Sequence, residues 1–140
     1  MPRQRVTLIT LATRDMTRAR ILRGLGLGDA SSSNDAVTFY QMDGAALGLF
    51  GHDDLAADQG RAGASLGTGA VTLAQNCRDD GETDAVFDAA LAAGATLLKR
   101  PEKVFWGGYS GYFADPDGHV WEIATNPFWP LDDKGGLTLA

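Results

Sequence analysis

A single carboxylate stands out among the apolar residues of the C-terminal half. Glu122 lies between Trp121 and Ile123 in the stretch YSGYFADPDGHVWEIATNP, residues 109–127, whose alternation is typical of strands. An acid that apolar neighbours desolvate should have a raised pKa, and a raised pKa suits a general acid or base near neutral pH. Glu122 is therefore the candidate catalytic residue, acting as an acid or as a base.

The same acid also has a structural interpretation. Gln75 or a backbone N–H could hold Glu122 as a hydrogen-bonded carboxylate that does no chemistry. A second stretch, FYQMDGAALGLF (residues 39–50), has the same order of aromatic residue, Asp-Gly turn and apolar strand, with Gly48 in the place of the acid. The acid thus occurs in one copy of the pattern only, and the catalytic and structural roles both stay open.

The two stretches belong to an internal repeat. Residues 6–15 (VTLITLATRD) and 71–80 (VTLAQNCRDD) align without a gap at an offset of 65, and each has the pattern of a strand that ends at an Asp. A helix is predicted after each strand, and Asp15 is the expected N-cap of the first. The hairpins align at an offset of 74, so the second half carries an insertion, which we place at residues 100–108.

Each half has the predicted order β-α-β-β-β. Asp-Gly and Pro-Asp-Gly between apolar runs mark the hairpins, because glycine accepts a positive φ and Pro and Asp favour turns. Repeats this short cannot close a core alone, so we expect one domain over residues 1–140. Its predicted parts are a first module (5–51), a connector (52–69), a second module (70–127) and a C-terminal tail (128–140).

The repeated module, the hairpin YFADPDGHVWEI and the opening stretch TLATRDMTRARILRGLGLG together resemble the vicinal oxygen chelate superfamily. That superfamily includes glyoxalase I, extradiol dioxygenases and bleomycin-resistance proteins. The resemblance covers most of the chain, roughly residues 5–127. It implies an α+β fold in which two tandem β-α-β-β-β modules form a curved eight-stranded mixed sheet around a cavity.

Proteins of this superfamily usually hold a divalent metal at four positions on the concave face of the sheet. The resemblance carries those positions over to Leu8, Gly48, Leu73 and Glu122. Zinc in a catalytic site takes about three protein ligands, and only Glu122 of these four residues has a suitable side chain. His119 is three residues from Glu122, so it should point to the opposite face of the strand. The sequence therefore predicts a member that uses no metal and no other cofactor.

The substrate-binding candidates are the residues that should share the cavity face with the acid. A two-residue turn at Pro116-Asp117 would pair Gly111 with Glu122 and direct Tyr112 to the helix layer. Trp106 lies on a glycine-rich loop that forms either a lid over a ligand or a packed rim. The predicted set consists of Tyr109, Gln75, Thr10, Phe39, Phe50, Phe113 and Trp106.

Charge and composition exclude several classes of protein. The chain has 12 Lys and Arg against 18 Asp and Glu, a net charge of −6, which argues against a nucleic-acid groove. No apolar run approaches the roughly 18–20 residues of a membrane helix, so no membrane partner is expected. Cys77 is the only cysteine, which excludes an intrachain disulfide and favours a cytoplasmic location.

Two functions stay open at this point. The chain resembles either a lyase or isomerase, in which Glu122 transfers a proton while Tyr109 and Gln75 orient a small organic substrate, or a protein that sequesters a drug or metabolite. A metal-dependent lyase or dioxygenase that draws its missing ligands from a second chain is a third reading. The apolar tail, with Phe128 and Trp129, should dock on its own barrel or on a second subunit, so a homodimer is expected.

Overall fold

The computed structural model describes residues 5–19, 28 and 36–137, and confirms the α+β fold. Two compact units divide the chain, a first unit of Met1–Gly67 and a second unit of Thr68–Ala140. The elements in chain order are β1 (Leu8–Thr13), α1 (Met16–Ala19), β2 (Val37–Met42), β3 (Ala45–Gly51), α2 (His52–Asp58), β4 (Thr72–Cys77), α3 (Asp80–Ala92), β5 (Thr96–Lys103), β6 (Tyr109–Ala114) and β7 (Val120–Thr125).

The described strands form two sheets, one in each unit. The first sheet has the order β1-β3-β2, and the second has the order β4-β7-β6-β5. In both, the first strand of the unit runs parallel to the last strand, and the hairpin strands are antiparallel. None of the helices within the described ranges is long and apolar enough to cross a bilayer.

The first sheet has one buried face and one more open face. Leu11, Leu47 and Leu49 alternate into the core, where each is at most 9% exposed. The register of β1, β2 and β3 places the intervening residues together on the other face, as the sequence predicted. That face carries Leu8, Thr10, Val37, Phe39, Ala46, Gly48 and Phe50.

The second sheet packs one face against α3. Phe113 is fully buried between Phe87 of the helix and Trp121 of β7, with an edge-to-face contact of 5.9 Å to Phe87. The rings of Phe113 and Trp121 are stacked nearly parallel, with their centroids 6.4 Å apart. Aromatic side chains supply large buried apolar areas, so these three rings form the centre of the core in the second unit.

Both helices that follow a first strand begin at an aspartate. The Asp15 carboxylate accepts the Arg18 N–H at 3.0 Å, which confirms the predicted N-cap of α1. The cap of α3 is Asp79, whose carboxylate accepts the Glu82 N–H at 2.7 Å. The sequence had the second strand end at Asp80, one residue later. The remainder of the first predicted helix falls on residues 20–27, outside the described residues.

Connector and insertion contain more regular structure than the sequence suggested. Helix α2 begins immediately after β3, within the range assigned to the connector. Strand β5 extends through Pro101 to Lys103, and the turn that follows closes with a hydrogen bond from Val104 N–H to the Gly108 carbonyl. A proline is tolerated there because β5 is an edge strand of its sheet.

Candidate functional site

The last hairpin closes with a three-residue turn. Asp115 donates its backbone N–H to the His119 carbonyl, and Gly118 takes the left-handed conformation with φ 89°. A glycine in this conformation is typical of three-residue hairpin loops. The predicted two-residue turn was therefore wrong by one residue, and Glu122 pairs with Tyr112 rather than with Gly111.

Asp115 is the residue that fixes this turn. One oxygen of its carboxylate accepts the backbone N–H groups of Asp117 and His119, each at 3.0 Å. The other oxygen accepts the indole N–H of Trp121 at 3.3 Å. Burial raises the pKa of the Asp115 carboxyl, and the three donors oppose that rise. The Asp115 carboxylate thus bonds both to the turn and to Trp121 of β7. These bonds fix the register of the hairpin, in which Tyr112 lies opposite Glu122.

Strand β4 is also displaced by one residue from its predicted alignment. Ala74 lies beside Glu122, whereas Leu73 and Gln75 lie beside Trp121 and Ile123 on the helix side of the sheet. A shift of one residue turns every side chain of a strand to the other face. Gln75 is exposed there, so the prediction that Gln75 shares the face of the acid was wrong.

Glu122 is half-buried and has the phenol of Tyr112 as its neighbour across the strand. Desolvation raises the pKa of Tyr112, and a hydrogen bond to the Glu122 carboxylate and the charge of that carboxylate raise it further. A tyrosine that keeps its proton can donate it in a hydrogen bond, so the pair combines a donor with an acceptor. The two side chains form one polar pair on the sheet face away from α3.

Lys99 on β5 continues this pair across the sheet. It lies opposite Tyr112, so Lys99, Tyr112 and Glu122 form one row over three neighbouring strands, which we call the acid row. The ladder is irregular on both sides of Lys99. The lysine ammonium reaches Glu102 at 3.2 Å, although residues three apart in a regular strand point to opposite faces. The bulge thus brings Glu102 to the same side as Lys99.

Two other predicted binding residues lie on the helix side of the second sheet. Tyr109 donates its hydroxyl to Asp84 of α3 at 2.6 Å, and this bond raises the pKa of Tyr109 to about 12. Lys103 lies over the same ring at 5.7 Å. Phe113 is fully buried in the core. The prediction that Tyr109 and Phe113 share the face of Glu122 was wrong, because the hairpin register is displaced.

Three predicted binding residues do share one face, in the first unit. Gly48 of β3 lies between Thr10 of β1 and Phe39 of β2, and Phe50 lies two residues further along β3. The Phe39 ring covers the glycine, since a Cβ placed on Gly48 would be 3.2 Å from it. The surface of Gly48 is therefore covered by an aromatic ring of the same unit.

Trp106 packs on its own turn. A Cβ on Gly108 would be 1.9 Å from the indole, so the ring lies directly on the glycine backbone. The neighbouring Phe105 is fully exposed, and Phe128 of the tail contacts Gly107. The turn is therefore an exposed aromatic surface, and a lid role for Trp106 stays a prediction. The homodimer expected from the tail also stays a prediction.

The residues beside Glu122 do not fit a metal site. Its neighbours on the sheet are Ala74, which has no donor atom, and the protonated phenol of Tyr112. The equivalent position of the first unit is Gly48, beside Thr10. In the part of the chain that the structure describes, no three His, Cys, Asp or Glu side chains converge. One carboxylate falls short of the three protein ligands that catalytic zinc usually takes.

A second polar group lies in an open cleft of about 330 Å³ in the first unit. The buried His52 ring accepts the Leu66 N–H at Nε2 (2.9 Å), which leaves Nδ1 to donate to Asp53 at 2.9 Å. Arg14 also approaches Nε2, at 3.2 Å. The hydrogen bond from His52 lowers the pKa of the exposed Asp53 carboxyl. These contacts hold the segment after α2 in place, so we assign them a structural role.

Sequence reasoning missed Tyr112 and Lys99. The signal for Tyr112 was the Pro-Asp-Gly sequence itself, which suits a three-residue loop with glycine in the left-handed position. Counting from Asp115 to His119 then pairs Tyr112 with Glu122. Lys99 had no such signal, because its orientation depends on a bulge that only the folded strand pair reveals.

Comparisons with known proteins agree on one family. Residues 23–123 match the family model described as Glyoxalase/Bleomycin resistance protein/Dioxygenase superfamily. The structure of a glyoxalase-related enzyme from Fulvimarina pelagi is 37% identical, with a TM-score of 0.90, over 98% of this chain and 99% of that chain. A lactoylglutathione lyase from Agrobacterium tumefaciens shares the fold at 20% identity and a TM-score of 0.69, over 90% and 96% of the two chains.

The curated relatives match a shorter stretch. An uncharacterised protein of Mycobacterium tuberculosis is 42% identical over 59 residues, which is 42% of this chain and 33% of that protein. The match thus spans about a third of the length of these relatives. Both this partial match and the full-length structural match concern similarity in sequence and fold.

Proposed function

Because the chain belongs to the glyoxalase/bleomycin resistance protein/dioxygenase superfamily, we propose that it binds a small organic molecule on the open face of its second sheet and that Glu122 transfers a proton there without a metal. The observation that carries the proposal is the Tyr112–Glu122 pair. It places a carboxylate directly opposite a phenol in the register of β6 and β7, on a face that α3 does not cover.

The pair has the parts that acid–base catalysis needs. A carboxylate oxygen of Glu122 removes a proton from an acidic C–H or O–H group of the ligand, and the bonding electrons stay on the ligand. The protonated Glu122 then returns the proton to the same or a neighbouring atom. Tyr112 keeps the carboxylate oriented through both steps, because its own raised pKa leaves the phenol protonated near neutral pH.

The donor set around the acid supports the proposal of a metal-independent reaction. Ala74 and Tyr112 flank Glu122 on the sheet, and no group of three His, Cys, Asp or Glu side chains converges among residues 5–19, 28 and 36–137. The residues of this chain must therefore stabilise the developing negative charge of the ligand by hydrogen bonds and by nearby positive charge. Lys99 carries the positive charge of the acid row, whereas the single O–H of Tyr112 serves Glu122.

The test is exchange of ligand hydrogen with solvent. Compounds from a metabolite library that raise the melting temperature of the protein are incubated with it in D₂O, and deuterium uptake is measured by mass spectrometry. We expect uptake with the wild-type chain and loss of uptake in Glu122→Gln, with binding retained. Glu82→Gln is the matched control, because it removes a carboxylate of the same unit from α3 and keeps an acceptor for the Arg78 N–H.

The alternative is a protein that sequesters its ligand and does no chemistry. That function needs no proton acceptor, so tight binding without deuterium uptake in the wild type, unchanged in Glu122→Gln, would replace the enzyme by the sequestering protein. Stoichiometric, tightly bound metal in the purified protein would overturn the metal-independent mechanism itself.

A further inference from the structure

We propose that the acid row selects a small organic anion, whose negative group binds at Lys99 while its reactive end lies at the Tyr112–Glu122 pair. This inference rests on the proposed function and names its ligand class. It follows from the order of charges in the row: a cation on β5, a phenol on β6 and a carboxylate on β7.

The bulge in β5 is the feature that gives Lys99 this position. Lys99 and Glu102 pair with Tyr112 and Ser110, which are two residues apart in β6 and so share one face. Lys103, by contrast, pairs with Tyr109 and bonds to Asp80 of α3 on the helix side. The two lysines of this strand therefore serve opposite faces.

The ion pair of Lys99 is weak enough to exchange for a ligand. Both partners are substantially exposed, with side-chain exposures of 46% for Lys99 and 60% for Glu102. Exposed ion pairs contribute little because water screens the charges and two long side chains must be ordered. A ligand carboxylate that also gains contacts on the sheet can therefore displace Glu102 from Lys99. Glu102 acts as an internal competitor for the anion.

The size of the row sets the size of the ligand. Neighbouring strands lie about 4.8 Å apart, so the backbones at Lys99 and Glu122 are separated by about 10 Å. A compact molecule with its anionic group at one end spans that distance. The small residue Ala74 lies beside Glu122 and is exposed, which leaves room on that side for the body of such a ligand.

Benzoate and benzamide are the probes for this ligand class, because they share a ring and differ in charge. Binding is measured by chemical-shift titration of the ¹⁵N-labelled full chain. We expect benzoate to bind more tightly than benzamide. Lys99→Gln should weaken benzoate binding about tenfold, since a charge-assisted contact is lost, and leave benzamide unchanged. Lys99→Arg should retain benzoate binding, because the positive charge is kept.

Removal of the charge on Glu102, the internal competitor, should change benzoate affinity in the opposite direction. Glu102→Gln should strengthen benzoate binding by about threefold, because Lys99 no longer has a charged partner, and should leave benzamide unchanged. The spectra of the free variants report folding in the same experiment. Equal affinity for both probes, no detectable binding of benzoate, or Lys99→Gln binding benzoate as well as the wild type would each overturn the anion site.

The two proposals fail in different ways. Loss of the Lys99 effect with deuterium uptake still dependent on Glu122 would leave the acid–base function standing and exclude the anion site. The expected benzoate pattern without Glu122-dependent uptake would support the anion site and favour the sequestering protein.

Discussion

Replacement of Gly111 by alanine should unfold the second unit more readily than any change at an open glycine. Gly111 lies in β6 directly against the bulge of β5. A Cβ at this position would be 2.7 Å from the Pro101 nitrogen and 2.9 Å from the Lys99 carbonyl oxygen. Both neighbours are backbone atoms, so no side-chain rotation relieves the overlap. Strand β5 would have to move away from β6.

The size of the effect follows from that movement. Unstrained carbon contacts lie at about 3.5–4.0 Å, so the strands must separate by roughly 0.8 Å at this point. Overpacking of this kind costs about 1–3 kcal/mol, and rigid backbone neighbours place Gly111→Ala at about 2–3 kcal/mol. At about 4 °C per kcal/mol for a chain of this size, the melting temperature should fall by about 8–12 °C.

Calorimetry or circular dichroism of the full chain measures this shift. Gly67→Ala is the control, because a Cβ there meets nothing within 4 Å and the residue has no positive φ; we expect a change of about 0.5 kcal/mol or less. A loss below about 0.5 kcal/mol in Gly111→Ala would show that β5 yields without cost. The close approach of the bulge would then not constrain the placement of Lys99.

Two further predictions concern α3. Asp79→Ala should cost about 1 kcal/mol in urea unfolding, because the Glu82 N–H loses its cap, whereas Asp79→Ser should retain most of the stability. Asp84→Asn should lower the pKa of Tyr109 from about 12 toward the ordinary tyrosine value of 10.0, as followed by tyrosinate absorbance. Because the folded pKa is raised, the stabilisation from this bond is full below pH 10.0 and is lost as the pH rises through about 12. An unchanged titration in Asp84→Asn would refute the assigned cause.

The two hairpins show what the sequence could and could not predict. Asp43-Gly44 forms a two-residue turn with Met42 opposite Ala45, so the predicted face of the first sheet was right. The second hairpin has Pro116 before its Asp-Gly pair, and the loop is one residue longer. The assumption of a two-residue turn therefore placed Tyr112 on the helix side of the sheet, whereas it lies opposite Glu122. Turn length decides the face of every residue beyond it.

The one-residue error in the predicted alignment of β4 with β1 has a different cause. The shared letters Val-Thr-Leu align residues 6 and 71 at an offset of 65, but the N-caps Asp15 and Asp79 are 64 residues apart. The register agrees with the caps, since Thr10 lies beside Gly48 and Ala74 lies beside Glu122. A helix cap is fixed by hydrogen bonds, whereas an apolar strand tolerates many residues at each position. The cap is therefore the better reference for aligning the repeats.

The contrast between Glu122 and Gly48 has a cause in the strand beside them. Each residue lies opposite an aromatic side chain, Tyr112 in the second unit and Phe39 in the first. Phe39 has no polar atom, so its ring packs onto the glycine, where a Cβ would already be as close as 3.2 Å. Tyr112 has a hydroxyl on a half-buried face and therefore needs an acceptor, which the carboxylate provides. In each repeat, the residue at this position of the last strand thus matches the aromatic side chain opposite it, glycine with Phe39 and glutamate with Tyr112. The acid stands opposite the phenol in the second repeat only, so the proton transfer proposed above is assigned to the second unit.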